Sequence, residues 1–407
     1  MSGNLGGEMH VVPKARRRAE KSVRPRDGIL KPLPNEWLQD HRLDGSGEQT
    51  AEMRWGSVDA DEYLTPTERF FVRSHSGTPL VNANDWVLKI EGAGVERVVD
   101  LTYEDLLALP SVTVVKALEC AGNGRVSFGR AHGTIPPGTP WSLGAIGVAE
   151  WTGVPLSEVL APAGVRPEAI EVLAEGMDEA RVRRPIPIAK ALKDTLVVVA
   201  MNGRPLPADH GFPARLLVPG WAAIASIKWL GRLEVTDRPV STPWNTETYA
   251  LKGPDYPPAA GGRPQAVEGQ VMKSALELDA FATIPAGSRQ VTGRSWSPTS
   301  IISRVEVSFD DGASWRHATL RPPNLPGAWV RWHVPWDPRP GEYRLRVRAT
   351  DLTGRSQPDE IPWNDHGYLY GGVASYTVRV VAGAGGATDE QPDPASDVGL
   401  TRSEGRE

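Results

Sequence analysis

Val112-Thr113-Val114-Val115-Lys116-Ala117-Leu118 runs without a break into Glu119-Cys120-Ala121-Gly122-Asn123-Gly124-Arg125. The first seven residues are β-branched or apolar at every position but Lys116, which predicts a strand. Ala-Gly-Asn-Gly then forces a turn. Cys120 stands where strand meets turn, a place from which a side chain serves a site held by a rigid scaffold. It is also the single cysteine among 407 residues. It therefore closes no intramolecular disulfide and builds no zinc or iron–sulfur site, each of which needs several thiolates. No Cys-x-x-Cys-His exists to attach a haem. Three roles remain open: an inert buried thiol, a nucleophile, or one soft thiolate on a metal whose other ligands come from a cofactor.

Working outward, residues 70–240 mix short strands and short helices. Trp86-Val87-Leu88-Lys89-Ile90-Glu91-Gly92 and Thr195-Leu196-Val197-Val198-Val199-Ala200-Met201 predict strands, the second ending in an Asn202-Gly203 turn. Thr102 to Pro110 and Val154 to Ala161 predict helices. Without regular βαβ alternation, the fold class is α+β with a mixed sheet. The Pro- and Gly-rich residues 241–263 read as a connector. Beyond Pro264 the texture changes to short alternating strands, with a hairpin at Val305–Phe309, Asp310-Asp311-Gly312 and Ser314–Leu320. Strands at Tyr343–Thr350 and Ser375–Val380, with no helix pattern, predict an antiparallel β-sandwich of immunoglobulin type. The expected organisation is an N-terminal arm (1–45), a catalytic domain (46–263), a sandwich (264–382) and a disordered tail (383–407).

Composition narrows the function. Forty-two Gly and 37 Pro mean many turns and few long helices, and a net charge of −5 gives no reason to expect nucleic-acid binding. No stretch approaches the ~20 apolar residues of a membrane span. Arg16-Arg17-Arg18 is followed by charged residues rather than an apolar stretch, so no export signal is read and a cytoplasmic location is expected. Fourteen Trp is high. Those at Trp315, Trp329, Trp332, Trp336 and Trp363 exceed what a small sandwich core needs, so a homodimer through that domain is expected.

Five segments carry chemistry: Phe70-Phe71-Val72-Arg73-Ser74-His75; the Cys120 segment; Asp209-His210-Gly211-Phe212-Pro213-Ala214-Arg215; Ser226-Ile227-Lys228-Trp229-Leu230-Gly231; and Trp244-Asn245-Thr246-Glu247-Thr248-Tyr249. Singly, each has a plain structural explanation: Arg73 and His75 a surface pair, His210 and Arg215 a cap, Tyr249 a structural tyrosine, Asp178 a turn residue. Together and in this order they resemble the sulfite oxidase family of molybdopterin-dependent oxidoreductases, from about Phe70 to Val380. That resemblance implies a molybdopterin-binding domain followed by an immunoglobulin-like dimerisation domain, in agreement with the sandwich read from its own pattern.

The resemblance also implies roles. Cys120 is the protein thiolate on molybdenum, chemistry that suits a soft ligand. Arg73 and Arg125 are the substrate-pocket arginines, and their planar multi-donor forks suit a small oxyanion. Tyr249 is the active-site tyrosine, close to substrate and metal. His210, Arg215, Ser226, Ile227 and Lys228 hold the pterin and its phosphate, with Phe71, Val72, Ser74, His75 and Asp178 completing the pocket. Two positions depart from the eukaryotic pattern: Ser74 stands for Asn, and Gly124 for Arg. His366 lies near a basic residue of some members and takes no role here.

The activity implied is oxidation of sulfite to sulfate with one molybdenum–molybdopterin per chain and no haem, electrons passing to an external acceptor such as a cytochrome. Alternatives are a related oxidoreductase acting on sulfane sulfur, nitrate or a sulfoxide, and a non-enzymatic scaffold with the same fold.

Overall fold

The computed structural model describes residues 38–40, 50–258 and 261–382. The expected tail (383–407) and most of the expected arm lie outside the described residues. The described part of the arm is not separate from the fold. Leu38–Asp40 pairs antiparallel with Thr50–Met53, which in turn pairs with Val72–Arg73.

The first half contains two five-stranded sheets. One runs Arg204–Pro205, Leu196–Met201, Ile146–Pro155, Val112–Glu119, with Arg215–Leu217 also paired to Leu196–Met201. The other runs Val99–Thr102, Val87–Glu91, Leu230–Thr236, Glu171–Gly176, Arg183–Pro187. Its pairing of Leu230–Thr236 with Val87–Glu91 is parallel and the rest are antiparallel, so the sheet is mixed, as the sequence predicts. The predicted Asn202-Gly203 turn closes a hairpin with both residues at positive φ, +49° and +74°. That is the two-residue turn whose twist matches its strands. The helix Tyr103–Ala108 begins at a capping box, where the Thr102 hydroxyl accepts from the Asp105 amide at 3.2 Å and Asp105 accepts from the Thr102 amide at 3.0 Å. Such a cap is worth about 1 kcal/mol. The second predicted helix is shorter than its apolar pattern. Val154 and Pro155 finish the long strand Ile146–Pro155, and only Leu156–Leu160 is helical. Proline fits there because its missing N–H is no loss at a helix start.

The second half is the predicted sandwich. A four-stranded sheet (Lys273–Leu276, Arg289–Trp296, Trp329–Trp336, Thr319–Arg321) faces a five-stranded one (Thr283–Pro285, Ala374–Val381, Gly341–Asp351, Ile302–Ser308, Arg316–His317). One edge pair, Thr283–Pro285 with Ala374–Val381, is parallel, so the sandwich is not wholly antiparallel.

The tryptophans correct the sequence reading. Trp296, Trp329, Trp332 and Trp336 are buried inside this one chain, packed with Val305, Val307, Leu345 and Val347. That core continues into the first half through Met53, Trp55, Ala117, Ile146 and Val148, and Trp55 stacks on Trp296 at 6.4 Å. Of the tryptophans from which a dimer is expected, Trp329, Trp332 and Trp336 fill this core, whereas Trp315 and Trp363 are half-buried. Two buried ion pairs cross the same boundary or brace it: Lys273–Glu119 at 2.6 Å and Arg294–Glu277 at 2.8 Å, each side chain 3% exposed or less. Arg294 also donates to the carbonyls of Asp59 and Glu62. Replacing Arg294 by Met strands a buried carboxylate, so equilibrium unfolding should show a loss of about 3–5 kcal/mol. A loss below 1 kcal/mol would remove this pair from the account of how the halves are joined.

Candidate active site

The strand Val112–Glu119 delivers Cys120 to the wall of a cavity. The turn after it is closed by short backbone bonds, Asn123 N to Cys120 O at 3.0 Å and Arg125 N to Gly122 O at 2.9 Å. Asn123, fully buried, locks it: its amide donates to Glu119 at 2.9 Å and its carbonyl accepts from Ala145 N at 3.0 Å. Gly124 has φ +93°, and a Cβ there would meet Tyr370 at 3.2 Å. A side chain at this position would be strained.

Of the residues singled out in the sequence, Phe71, Val72, Arg73, Ser74, His75, Cys120, Asp178, His210, Arg215, Ser226, Ile227, Lys228 and Tyr249 all line this one cavity. Arg125 does not. It is buried, and its guanidinium donates to the carbonyls of His366 at 2.9 Å and Thr139 at 2.5 Å. Its flat face lies over the Tyr368 ring, 5.4 Å from the centroid. Arg125 still acts on the site, since its charge, like that of Arg73, opposes the upward push of burial on the Cys120 thiol.

Arg73, His75 and Tyr249 form a chain. Arg73 donates to His75 Nδ1 at 3.0 Å, and His75 Nε2 lies 2.8 Å from the Tyr249 hydroxyl. A guanidinium has no acceptor, so Nδ1 must accept, and the ring proton sits on Nε2. Nε2 then donates to the tyrosine oxygen, which leaves the tyrosine's own proton available to another acceptor. Burial, helped by Arg73 and Lys228, holds the His75 pKa down to about 2, so the ring is neutral under ordinary conditions. Burial raises the Tyr249 phenol well above its usual range, which keeps it a donor.

Two further basic side chains of the cavity, Arg215 and Lys228, are buried and half-buried respectively, without ion pairs among the described residues. Arg215 donates to the carbonyls of His210, Leu216 and Ser226, and burial lowers its pKa to about 9. Lys228 donates to Ser74 Oγ at 2.7 Å and to the Asp209 carbonyl at 2.9 Å. Burial, reinforced by Arg215, pushes its pKa well below the usual lysine value. The Asp209 and Asp178 carboxylates act on Lys228 from a distance but neither ion-pairs with either group, and two such desolvated basic side chains suit an external anion such as a phosphate. The Ser74 departure is accommodated here, since its hydroxyl receives the Lys228 ammonium. Asp178 faces the cavity with its carboxyl raised by burial and presents acceptors for ring N–H groups. No cluster of three or more His, Cys, Asp or Glu among the described residues holds a metal by itself. One thiolate beside an anion cradle fits a metal carried by a phosphate-bearing cofactor.

Some contributors were not read from the sequence. Tyr368 stacks on Tyr249 with centroids 5.2 Å apart and planes 12° apart. Arg184, buried, reaches the carbonyls of Trp244 and Val267 and so holds the Tyr249 segment. Both come from distant parts of the chain and carry no local motif. No helix among the described residues is long and apolar enough to cross a membrane.

Comparison with known proteins gives the same picture. Residues 75–244 match the family described as an oxidoreductase molybdopterin binding domain, and residues 278–380 a Mo-co oxidoreductase dimerisation domain. Sulfite oxidase of Gallus gallus is 34% identical over 337 residues, 76% of this chain and 72% of that protein. Mitochondrial sulfite oxidase of Drosophila melanogaster is 31% identical over 349 residues, 79% of this chain and 60% of that protein. The chain thus spans about two thirds of the length of these relatives. Among solved structures, the sulfane dehydrogenase SoxCD from Paracoccus pantotrophus superposes with a TM-score of 0.76 at 30% identity, covering 91% of this chain and 95% of that one. With both domains matched along most of its length, the chain belongs to the sulfite oxidase family of molybdopterin oxidoreductases.

Proposed function

We propose that this protein oxidises sulfite to sulfate and passes the electrons to an acceptor outside these residues, working as a homodimer through its second domain. The observation that carries the reading is the joining of Cys120, Arg73 and Tyr249 in one cavity with the Arg215–Lys228 cradle. When bound, the molybdenum–pterin group supplies two-electron oxygen-atom exchange. The protein's residues supply placement and charge. Cys120 holds the metal, while Arg215 and Lys228 hold the phosphate and Asp178 the pterin N–H groups. Arg73 attracts the oxyanion and, through His75, orients Tyr249. The Tyr249 hydroxyl then donates to an oxygen of the substrate. Arg125 adds positive potential and fixes Tyr368 behind Tyr249.

A second reading has its own support. The likeness to the sulfane dehydrogenase covers nearly all of that chain, and Gly124 leaves the pocket with less positive charge than a basic residue would give. Sulfane sulfur is therefore the alternative substrate. Parallel steady-state assays decide between them, using sulfite and thiosulfate with an artificial electron acceptor, and nitrate and methionine sulfoxide with a reduced dye as donor. The proposal expects kcat/KM for sulfite to exceed that for every other substrate. A preference for thiosulfate would replace it.

The cradle gives a prediction of its own. Arg215→Met or Lys228→Met removes a charge-assisted contact to phosphate worth about 1.5–3 kcal/mol, so pterin affinity should fall roughly 10- to 150-fold. The fluorescence of pterin released by acid reports it. Full pterin content in both variants would place the phosphate elsewhere.

A further inference from the structure

The residue before Cys120 is held from the other domain. Glu119 is 2% exposed, and both its oxygens are occupied. Oε1 accepts from the Lys273 ammonium at 2.6 Å and from the Asn123 amide at 2.9 Å. Oε2 accepts from the Trp296 indole N–H at 3.0 Å. Lys273 donates a second time, to the Asn123 carbonyl at 2.7 Å, inside the turn itself. Lys273 and Trp296 are directly opposite one another on paired strands of the sandwich, so one register pair presents both donors to one carboxylate. A one-residue slip of that pairing would turn one of the two side chains to the other face and part the donors. The positive charge of Lys273 also reaches the Cys120 thiol. On its other side the turn is met by the same domain, where Leu369 N donates to Ala121 O at 2.9 Å.

We propose that Lys273 and Trp296 are positioning residues for the thiolate: acting through Glu119 and Asn123, they fix the Cys120 turn, so that the second domain sets how Cys120 is presented to the cavity. The proposal rests on the reading of Cys120 as the metal's thiolate ligand and extends it to residues that touch neither metal nor substrate. A buried, fully satisfied charge network is suited to this task. Every member has one arrangement, and any displacement strands a charge. The pair Arg294–Glu277 supplies an internal comparison, because it is equally buried, braces the same boundary and does not contact the turn.

The test uses the full chain as purified, with molybdenum content measured first. Because the chain has one cysteine, iodoacetamide labelling reports Cys120 alone. Lys273→Met should label about tenfold faster than the parent, as the turn opens locally. Lys273→Arg should return most of the protection. Arg294→Met should lose comparable thermal stability yet label at the parent rate. Should Lys273→Met fail to fold, Trp296→Phe decides, since it removes the N–H and keeps the aromatic packing; it should label several-fold faster than the parent. Equal labelling rates in Lys273→Met (or Trp296→Phe) and Arg294→Met would overturn the positioning role. A parent that lacks molybdenum although made in a host that synthesises the cofactor, but shows the expected labelling order, would remove the ligand reading and leave the positioning role standing. A parent that holds molybdenum, with all variants labelling alike, would do the reverse.

Discussion

Replacing Cys120 by serine should abolish turnover while leaving a folded protein that still contains pterin. The substitution is nearly isosteric at a site 7% exposed, and the turn around it is closed by backbone bonds and by Asn123 rather than by the thiol. What changes is the ligand. A thiolate is soft and stays deprotonated on a metal, whereas a serine hydroxyl is hard and keeps its proton far more strongly. Loss of an outer hydrogen-bond partner of a metal ligand already costs 10- to 100-fold, so loss of the ligand itself should exceed about 100-fold in kcat. On the proposed reading the cofactor should stay, because Arg215, Lys228 and Asp178 would hold it independently of sulfur. Steady-state rates measured beside pterin content check this. Near-native turnover by the serine variant would show that Cys120 is no ligand.

The two arginines should part company. Arg73 lines the cavity, and Arg73→Met removes a charge-assisted contact worth about 1.5–3 kcal/mol, a fall in kcat/KM of roughly 10- to 150-fold. It also removes the donor that fixes the His75 tautomer, so part of the loss should appear in kcat as Tyr249 loses its orientation. Arg73→Lys should recover only part, because an ammonium cannot reproduce a planar fork. Parent KM should rise with added sulfate or chloride, and that response should be blunted in Arg73→Met. Arg125→Met should behave differently. Its guanidinium is committed to the Thr139 and His366 carbonyls, so its loss leaves two buried acceptors unpaired and should lower stability by about 1–3 kcal/mol. Its effect on kcat/KM should be the smaller of the two. Equal kinetic losses and unchanged stability in both variants would mean that both arginines bind the oxyanion directly.

How much of this could be read beforehand follows from how local each determinant is. The Cys120 turn was legible because strand, glycines and thiol lie within a few consecutive residues. The cradle was legible in pieces, since His210, Arg215 and Lys228 sit in short motifs, though nothing in the sequence showed that the two cations lack ion pairs. Arg125 reads as a substrate-pocket arginine, but it stands outside the cavity wall on the Thr139 and His366 carbonyls, because side-chain direction after a glycine at positive φ does not follow from spacing. Tyr368, Arg184, Lys273 and Trp296 were missed for one physical reason. Their partners are brought by tertiary packing and register, and no local pattern marks them. A count of indoles does not say whether they fill a core, join two halves or face a partner: Trp329, Trp332 and Trp336 fill the core, while Trp315 and Trp363 stay half-buried. Val154 and Pro155 read as helix because apolar residues of a buried strand and of a short helix share the same composition.

The account's central claim is that this cavity, loaded with its cofactor, takes two electrons from sulfite. Its most direct test is a single turnover: purified protein carrying molybdenum and pterin is mixed anaerobically with excess sulfite and no acceptor, and the sulfate formed is counted. The account predicts about one sulfate per molybdenum-loaded chain, formed once and not again until an acceptor is added. No sulfate from a fully loaded protein would contradict it.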